Sequence, residues 1–381
     1  MRKINTLGWI CGCCFLLASI QQAHPQALCS KIRFKEGNSK GCVGMIVTLT
    51  DDDNTVPDVY FFEHIAGSRD FRLGNRQGQG FDNSHQFNTP GVYAVRGVFG
   101  SGNGAQSVDC LGFIEIFENK LPDLRILNCP NRRLFLEVTD FGTFDEVWVD
   151  AGDNTQYVLT KNTEKKIHTY ANEGTFTVKY QGRFNGGFSN CITESRQVLS
   201  ANQLPPILLE ELSVTNNQII LNVGFSPLVR LELAEKKDNG IFNTVGQVGG
   251  SIRTVVLSNR TPENTIYYYQ VQTSSHCGSE KMSNQLASVY LKGQAKAQEN
   301  FLTWQRYWGE GFEKYQLLRD GQVYKEFTDK EKTSFSDTSP FVQCKKVYQY
   351  QVVVRLNNGW KITTNLVSLT TSEMISPAPP A

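Results

Sequence analysis

The chain has 381 residues, too many for one ordinary domain and suited to two to four. Its 40% hydrophobic and 11% aromatic content is that of a folded protein. Lys and Arg number 38 against 37 Asp and Glu, so there is neither the basic footprint of a general nucleic-acid binder nor a charge that would draw the chain to an anionic membrane.

The N-terminus reads as an address. Arg2 and Lys3 precede an apolar run from Trp9 to Ile20, and small residues follow in Gln21-Gln-Ala-His-Pro-Gln-Ala27. The run is too short to span a bilayer as a helix but fits a secretory signal, residues 1–27, with cleavage after Ala27 or alternatively after Ala23. A short membrane anchor is the competing interpretation. A lipid anchor at Cys29 would follow Leu28, where lipid attachment usually wants a small residue. No later run is apolar enough to cross a membrane, so no transmembrane segment is expected once the signal is removed. The expected location is exported: cell surface or extracellular, with the periplasm as a further option.

Beyond the signal, helical periodicity is nearly absent. Short alternating runs recur instead: Met45–Thr50, Gly91–Arg96, Arg133–Val138, Gly174–Lys179, Gln218–Val223 and Tyr348–Val353. Alternation turns one side of each strand to a core and the other to water, and the β-branched and aromatic content suits a half-buried pleat. Many such strands with Gly, Asn and Asp turns predict an all-β chain of tandem immunoglobulin-like β-sandwich domains.

The chain repeats itself. Ser84–Val95 aligns with Ile167–Val178, so that His85 matches His168, Phe87 matches Tyr170, Gly91 matches Gly174 and Tyr93 matches Phe176. A second repeat type follows: Thr265–Gln272 aligns with Lys346–Val353, Ser283-Asn-Gln-Leu with Thr364-Asn-Leu-Val, and Gln218–Asn222 with Asn300–Trp304. Breaks fall near Leu121-Pro122, Leu204-Pro-Pro206 and Lys292-Gly293. Proline stiffens the first two. The predicted modules are 28–119, 120–203, 204–292 and 293–373, and the Pro-rich end 374–381 reads as a linker or extended tail.

The mature chain keeps Cys29, Cys42, Cys110, Cys129, Cys191, Cys277 and Cys344. They are widely spaced and no Cys-x-x-Cys occurs, which points away from a zinc knuckle and toward structural bridges in an oxidising compartment. Cys42 and Cys110 hold the same places in the first unit as Cys129 and Cys191 in the second, so the repeat predicts bridges Cys42–Cys110 and Cys129–Cys191. Each would stabilise its module by roughly 4 kcal/mol on chain entropy. Cys277 and Cys344 are each alone in their modules, which leaves an inter-module bridge between them, and Cys29 is left over.

The first repeat type resembles the polycystic-kidney-disease (PKD) module, on Val149-Asp-Ala-Gly-Asp-Asn154, His168-x-Tyr170 and Gly174-x-Phe176-x-Val178, and in the first unit on His85-x-Phe87 and Pro90-Gly91-x-Tyr93-x-Val95. The first motif of that unit departs from the family at Val59–Gly67. Gly41–Thr50 is similar to the opening strand of PKD modules in exported Bacteroidetes proteins. The second repeat type resembles fibronectin type III, on Leu302-Thr-Trp304, Tyr315–Gly321 and Tyr348-x-Tyr350-x-Val352. The two resemblances cover nearly all of the mature chain and imply immunoglobulin-like sandwiches. Such strings occur in large Bacteroidetes surface proteins related to gliding and adhesion, which often end in a sorting domain not read here.

Chemistry-bearing motifs are sparse. His85 and His168 recur at one repeat position, which favours a ring bonding a turn over a site. His24 falls in the signal region, and His64 and His276 stand alone. No His-Glu-x-x-His is present, and nothing nominates a nucleophile with its base. Asp51-Asp-Asp-Asn54 has calcium-type ligands without EF-hand spacing, and reads as a solvated turn, as do Asp150, Asp153 and Asn154. Gly97–Ala105 is glycine-rich but lacks the following helix that a phosphate cradle needs. Trp304, Tyr307, Trp308 and Phe312 are the candidate aromatic surface, with Trp304 expected in the core and Trp308 as the ligand contact.

The expected function is therefore non-enzymatic: a spacer carrying protein or glycan contacts in adhesion. The alternative is an accessory binding segment of a secreted polysaccharide- or protein-degrading system. No cofactor and no metal is expected. The partner is an unknown surface protein or glycan, not a nucleic acid.

Overall fold

The computed structural model describes residues 33–34, 39–50, 58–64, 76–77, 84–99, 106–184, 189–224, 226–338, 342–343 and 345–371. The signal segment, Cys29, Cys344, the Asp51–Asn54 cluster and the tip of the glycine-rich stretch lie outside the described residues. Among those described, regular structure is all strand apart from a 3-10 turn at Ser275–Cys277. By contacts the chain divides into one compact unit of Met1–Lys120 with Phe184–Ile192, and another of Leu121–Arg183 with Thr193–Ala381.

The first sandwich has β1 (Arg33–Phe34), β2 (Lys40–Cys42), β3 (Ile46–Thr50), β4 (Asp58–His64), β5 (Arg76–Gln77), β6 (Ser84–Gln86), β7 (Gly91–Phe99) and β8 (Gln106–Phe117). Its sheets run β1-β3-β6 and β2-β8-β7-β4-β5, with β2 parallel to β8. The second has β9 (Asp123–Cys129), β10 (Arg133–Asp140), β11 (Glu146–Asp150), β12 (Gln156–Thr160), β13 (Lys165–Thr169), β14 (Gly174–Arg183) and β15 (Glu194–Ser200), in sheets β13-β10-β9 and β12-β11-β14-β15. This three-over-four arrangement is the immunoglobulin-like sandwich predicted by the strand pattern.

The third sandwich comprises β16 (Leu209–Val214), β17 (Gln218–Val223), β18 (Arg230–Lys237), β19 (Asn243–Gly249), β20 (Thr254–Ser258), β21 (Tyr267–Gln272) and β22 (Leu286–Ala287). The fourth comprises β23 (Leu291–Lys296), β24 (Glu299–Trp304), β25 (Phe312–Arg319), β26 (Gln322–Phe327), β27 (Ser334–Thr338), β28 (Val347–Leu356), β29 (Lys361–Thr363) and β30 (Val367–Thr370). They are fused: β16 pairs in parallel with β29, from Glu211↔Lys361 to Ser213↔Thr363, and so joins two sheets into one of eight strands. One apolar cluster runs through both, from Leu212, Leu221 and Tyr269 to Leu302, Tyr350 and Ile362. The sequence break at Lys292-Gly293 falls inside β23, whose first residue is Leu291.

Alternation explains the cores. In β17, Ile219, Leu221 and Val223 face inward, and in β24 the same phase buries Asn300, Leu302 and Trp304. The repeats seen in sequence recur as geometry. His85 stands edge-on to Phe87 at 4.7 Å and Phe87 meets Tyr93 at 4.5 Å; His168, Tyr170 and Phe176 make the same triad at 4.3 and 4.1 Å. In the other pair, Asn284 accepts from the Leu209 N–H (3.0 Å) and donates to its C=O (2.9 Å), while Asn365 brackets Leu291 at 2.8 and 2.9 Å. Ser283 and Thr364 accept from the Val271 and Val352 N–H groups at 2.7 and 3.0 Å. The aligned Ser/Thr-Asn pairs are thus side chains that stand in for a strand residue and satisfy buried backbone groups.

Each of these two sandwiches also buries an ion pair beneath an equivalent tyrosine, with the charges exchanged. Glu235 on β18 lies opposite Tyr269; its Oε2 accepts from Arg260 (2.6 Å) and from the Tyr269 hydroxyl (2.8 Å). Arg319 on β25 lies opposite Tyr350, and Asp337 takes Arg319 (3.0 Å), Tyr350 (2.7 Å) and Tyr324 (3.0 Å). Burial first, and the adjacent carboxylate next, push the hydroxyls of Tyr269 and Tyr350 above the usual tyrosine range.

Candidate functional site

The cysteine pairing differs from the one predicted by repeat position. Cys42 bonds Cys191, with Cα atoms 5.1 Å apart, and Cys129 bonds Cys277, with Cα atoms 5.4 Å apart. The in-module bridge Cys42–Cys110 is out of reach. Cys42 pairs with Phe117 across the parallel β2–β8 ladder, while Cys110 sits seven residues back along β8, opposite Val95. At ~3.3 Å per residue that is about 23 Å, far beyond the ~7 Å limit for a disulfide. Cys129–Cys191 and Cys277–Cys344 fail because Cys191 and Cys277 are already taken.

The observed bridges follow one rule. Cys42 ends β2 just before β3, and Cys129 ends β9 just before β10. Their partners lie between β14 and β15 and between β21 and β22, the last loop of the next sandwich in each case. The separations are 149 and 148 residues. Cysteines recurring with the module period, from 42 to 129 and from 191 to 277, were the sequence signal that could have found this.

Around Cys42, Asn190 accepts from its N–H and donates to its C=O, both at 2.7 Å, and Phe117 stacks on Phe184 at 5.2 Å. Around Cys277, the Ser275–Cys277 turn lays His276 flat on Phe135 at 4.4 Å, and Arg133 donates to the Cys277 carbonyl at 2.9 Å. Near it, Arg125 bridges Glu137 (3.1 Å) and the buried Glu232 (2.7 Å), whose other oxygen accepts from Thr244 (2.7 Å). Asn128 completes the junction, accepting from the Arg230 N–H and donating to the Leu199 carbonyl, both at 2.7 Å. Beside the bridge opens a polar groove of about 710 Å³ lined by Pro130, Asn131, Leu204, Pro206, Lys281 and Asn284.

The aromatic candidates separate. Trp304 and Tyr307 are buried and Phe312 half-buried, packed through Tyr315. Trp308 alone of the four is exposed, at 51%. The Arg306 guanidinium covers its ring at 4.0 Å and is itself held by Glu331 at 2.6 Å. Lys330, nearby, is lowered from its ordinary value by burial and then by Arg306. Trp308 is therefore a single ordered aromatic surface, not one of four.

His168 is buried and spends both nitrogens: Nδ1 on the Tyr157 hydroxyl (2.8 Å) and Nε2 on Asp153 (3.0 Å). Asp150 and Asp153 accept from the Gly152 and Thr155 N–H groups at 2.8 and 3.1 Å, the turn predicted there. Gly152 has φ +85° and a Cβ would fall 2.5 Å from the Thr177 carbonyl, so only glycine fits. His85 is held below its usual value by burial. Among the described residues, no group of three or more His, Cys, Asp or Glu side chains is placed to hold a metal ion, and no helix is long and apolar enough to cross a membrane.

No protein-family model matches the chain, and no curated protein matches it. Among solved structures it is similar to the FN1–FN3 domains of chicken CNTN1, at 11% identity and a TM-score of 0.20, over 67% of this chain and all of that one. At that score the likeness carries no argument, and the architecture rests on the strand pairing given above: an all-β chain of immunoglobulin-like sandwiches with two disulfides among the described residues.

Proposed function

We propose that the chain is a non-enzymatic, exported surface or extracellular protein whose sandwiches serve as a spacer and carry protein or glycan contacts in adhesion. The carrying observation is how its modules are joined. Both bridges run from one sandwich to the last loop of the next, and the third and fourth sandwiches share a sheet and a core. Modules tied to their neighbours in this way suit a spacer that carries contacts. Disulfides also suit an oxidising compartment. The PKD-like assignment of the first two modules draws support from the repeated histidine–aromatic triads. The non-enzymatic assignment draws support from the burial of His168, whose ring is packed edge-on against Tyr170 and closed off from solvent.

The accessory role in polysaccharide degradation is favoured by one observation, the exposed Trp308 ring held in place by Arg306. A glycan and protein binding array with the chain and its Trp308→Ala variant tests both. Binding to a surface component that falls at least tenfold in the variant, with Tm unchanged, is the expected result. Turnover of any polysaccharide, peptide or ester in a hydrolysis panel would overturn the non-enzymatic assignment, and no binding at all would leave only the spacer.

A further inference from the structure

The two disulfides among the described residues are interleaved. Their cysteines run 42, 129, 191, 277 along the chain, and the pairs are first with third and second with fourth. We infer that together they form a covalent lock on extension, which limits how far the chain can be drawn out between Cys42 and Cys277 even when the sandwiches between them unfold.

The argument is one of path length. Between Cys42 and Cys277 the backbone runs 235 residues. With both bridges closed, tension divides among three routes. One crosses Cys42–Cys191 and follows the 86 residues from 191 to 277. Another follows the 87 residues from 42 to 129 and crosses to Cys277. The last crosses both bridges and runs backwards through the 62 residues from 191 to 129. The routes lie in parallel, so the shortest sets the limit. At ~3.5 Å per residue the limit is about 220 Å, against about 820 Å with both bridges open.

Interleaving matters beyond the number of bridges. Two in-module bridges, 42–110 and 129–191, would leave 105 residues in series, and a limit of about 370 Å at the same rise. The observed pairing also stretches the second sandwich against its two neighbours at once, since residues 129–191 lie inside both loops. A strand pulled from any of the three sandwiches is thus backed by covalent routes through the others. The lock deepens the spacer role and rests on it for its use. It is measured on the chain alone, so its failure and a failure to find a partner are separate results.

The test is single-molecule extension of the full chain held at its two ends. Segments outside 42–277 contribute equally in every arm. Opening one bridge, by Cys191→Ser or by Cys277→Ser, raises the extension limit between Cys42 and Cys277 from about 220 to about 300 Å, and opening both raises it to about 820 Å. The lock is overturned if the oxidised chain reaches an extension of about 370 Å or more there, or if Cys277→Ser leaves the limit unchanged. Should a variant fail to fold, the folded wild-type chain before and after dithiothreitol gives the same two limits. There each bridge becomes two thiols as the reductant closes to its cyclic disulfide.

Discussion

At the junction of the second and third sandwiches the holding groups are covalent and charged: Cys129–Cys277, the Arg125 bridge between Glu137 and Glu232, and Asn128 spanning Arg230 and Leu199. At the junction of the third and fourth they are backbone and apolar: the β16–β29 ladder and a continuous core through Leu212, Leu302 and Ile362. Charged groups occur there too, but at the surface, in Lys281–Glu310, Lys292–Glu263 and Lys361–Glu211. The difference teaches that one sandwich can be attached on one side as a partner surface would be, and on the other as a domain core is. The two sides should answer differently to redox state, acid and truncation.

The largest separation comes from the bridge. Replacing Cys129 and Cys277 by Ser removes a loop of 148 residues, which on chain entropy is worth about 5 kcal/mol before losses to strain. Calorimetry should show the transition of the second sandwich falling while that of the fused third and fourth holds. A single transition that shifts as a whole would mean that all three fold as one. Arg125→Ala comes next. It strands the buried Glu232 with Thr244 alone and should cost about 3 kcal/mol, the usual penalty for breaking a buried pair. Ile362→Ala is its counterpart across the molecule, also at about 3 kcal/mol, through a cavity in the shared core instead of a stranded charge.

Acid sharpens the same contrast. Burial alone would raise the Glu137 carboxyl, but hydrogen bonds from Lys165 and Arg125 outweigh it and hold the group below the usual carboxylate range. A depressed folded value means stability that is present above the unfolded carboxylate value and is lost as pH falls through the folded one. Stability of the second sandwich, which carries the Arg125 side of the junction, should therefore fall below about pH 4, and Glu137→Gln should flatten that part of the profile. Smallest is Lys281→Ala, which breaks an exposed pair at the third–fourth junction and should cost under about 1 kcal/mol in a denaturant melt.

Strand by strand the fold was legible, because a half-buried pleat writes its burial into alternate residues, as Ile219, Leu221 and Val223 show. The His-x-aromatic repeats were legible for a like reason, each being a local cluster packed within its own sandwich. The cysteine pairing was not. Repeat position says which cysteines are equivalent, but equivalent residues can be joined within a module or across a junction without changing the pattern. The shared sheet was hidden too, since β29 is a three-residue strand whose partner lies some 150 residues earlier. Trp308 stood out in the sequence as an aromatic beside a core strand, and its exposure separates it from Trp304, Tyr307 and Phe312.

The exchanged charges of the third and fourth sandwiches bear on how tandem repeats go wrong. Neighbouring copies of one fold are prone to trade strands while both are still open, because each offers the other a nearly correct edge. Here a trade of β18 for β25 would seat Glu235 beside Asp337, two carboxylates in one dry site, and leave Arg319 against Arg260. The native arrangement satisfies all four charges and the swapped one none, so the inversion marks each strand with the identity of its own module.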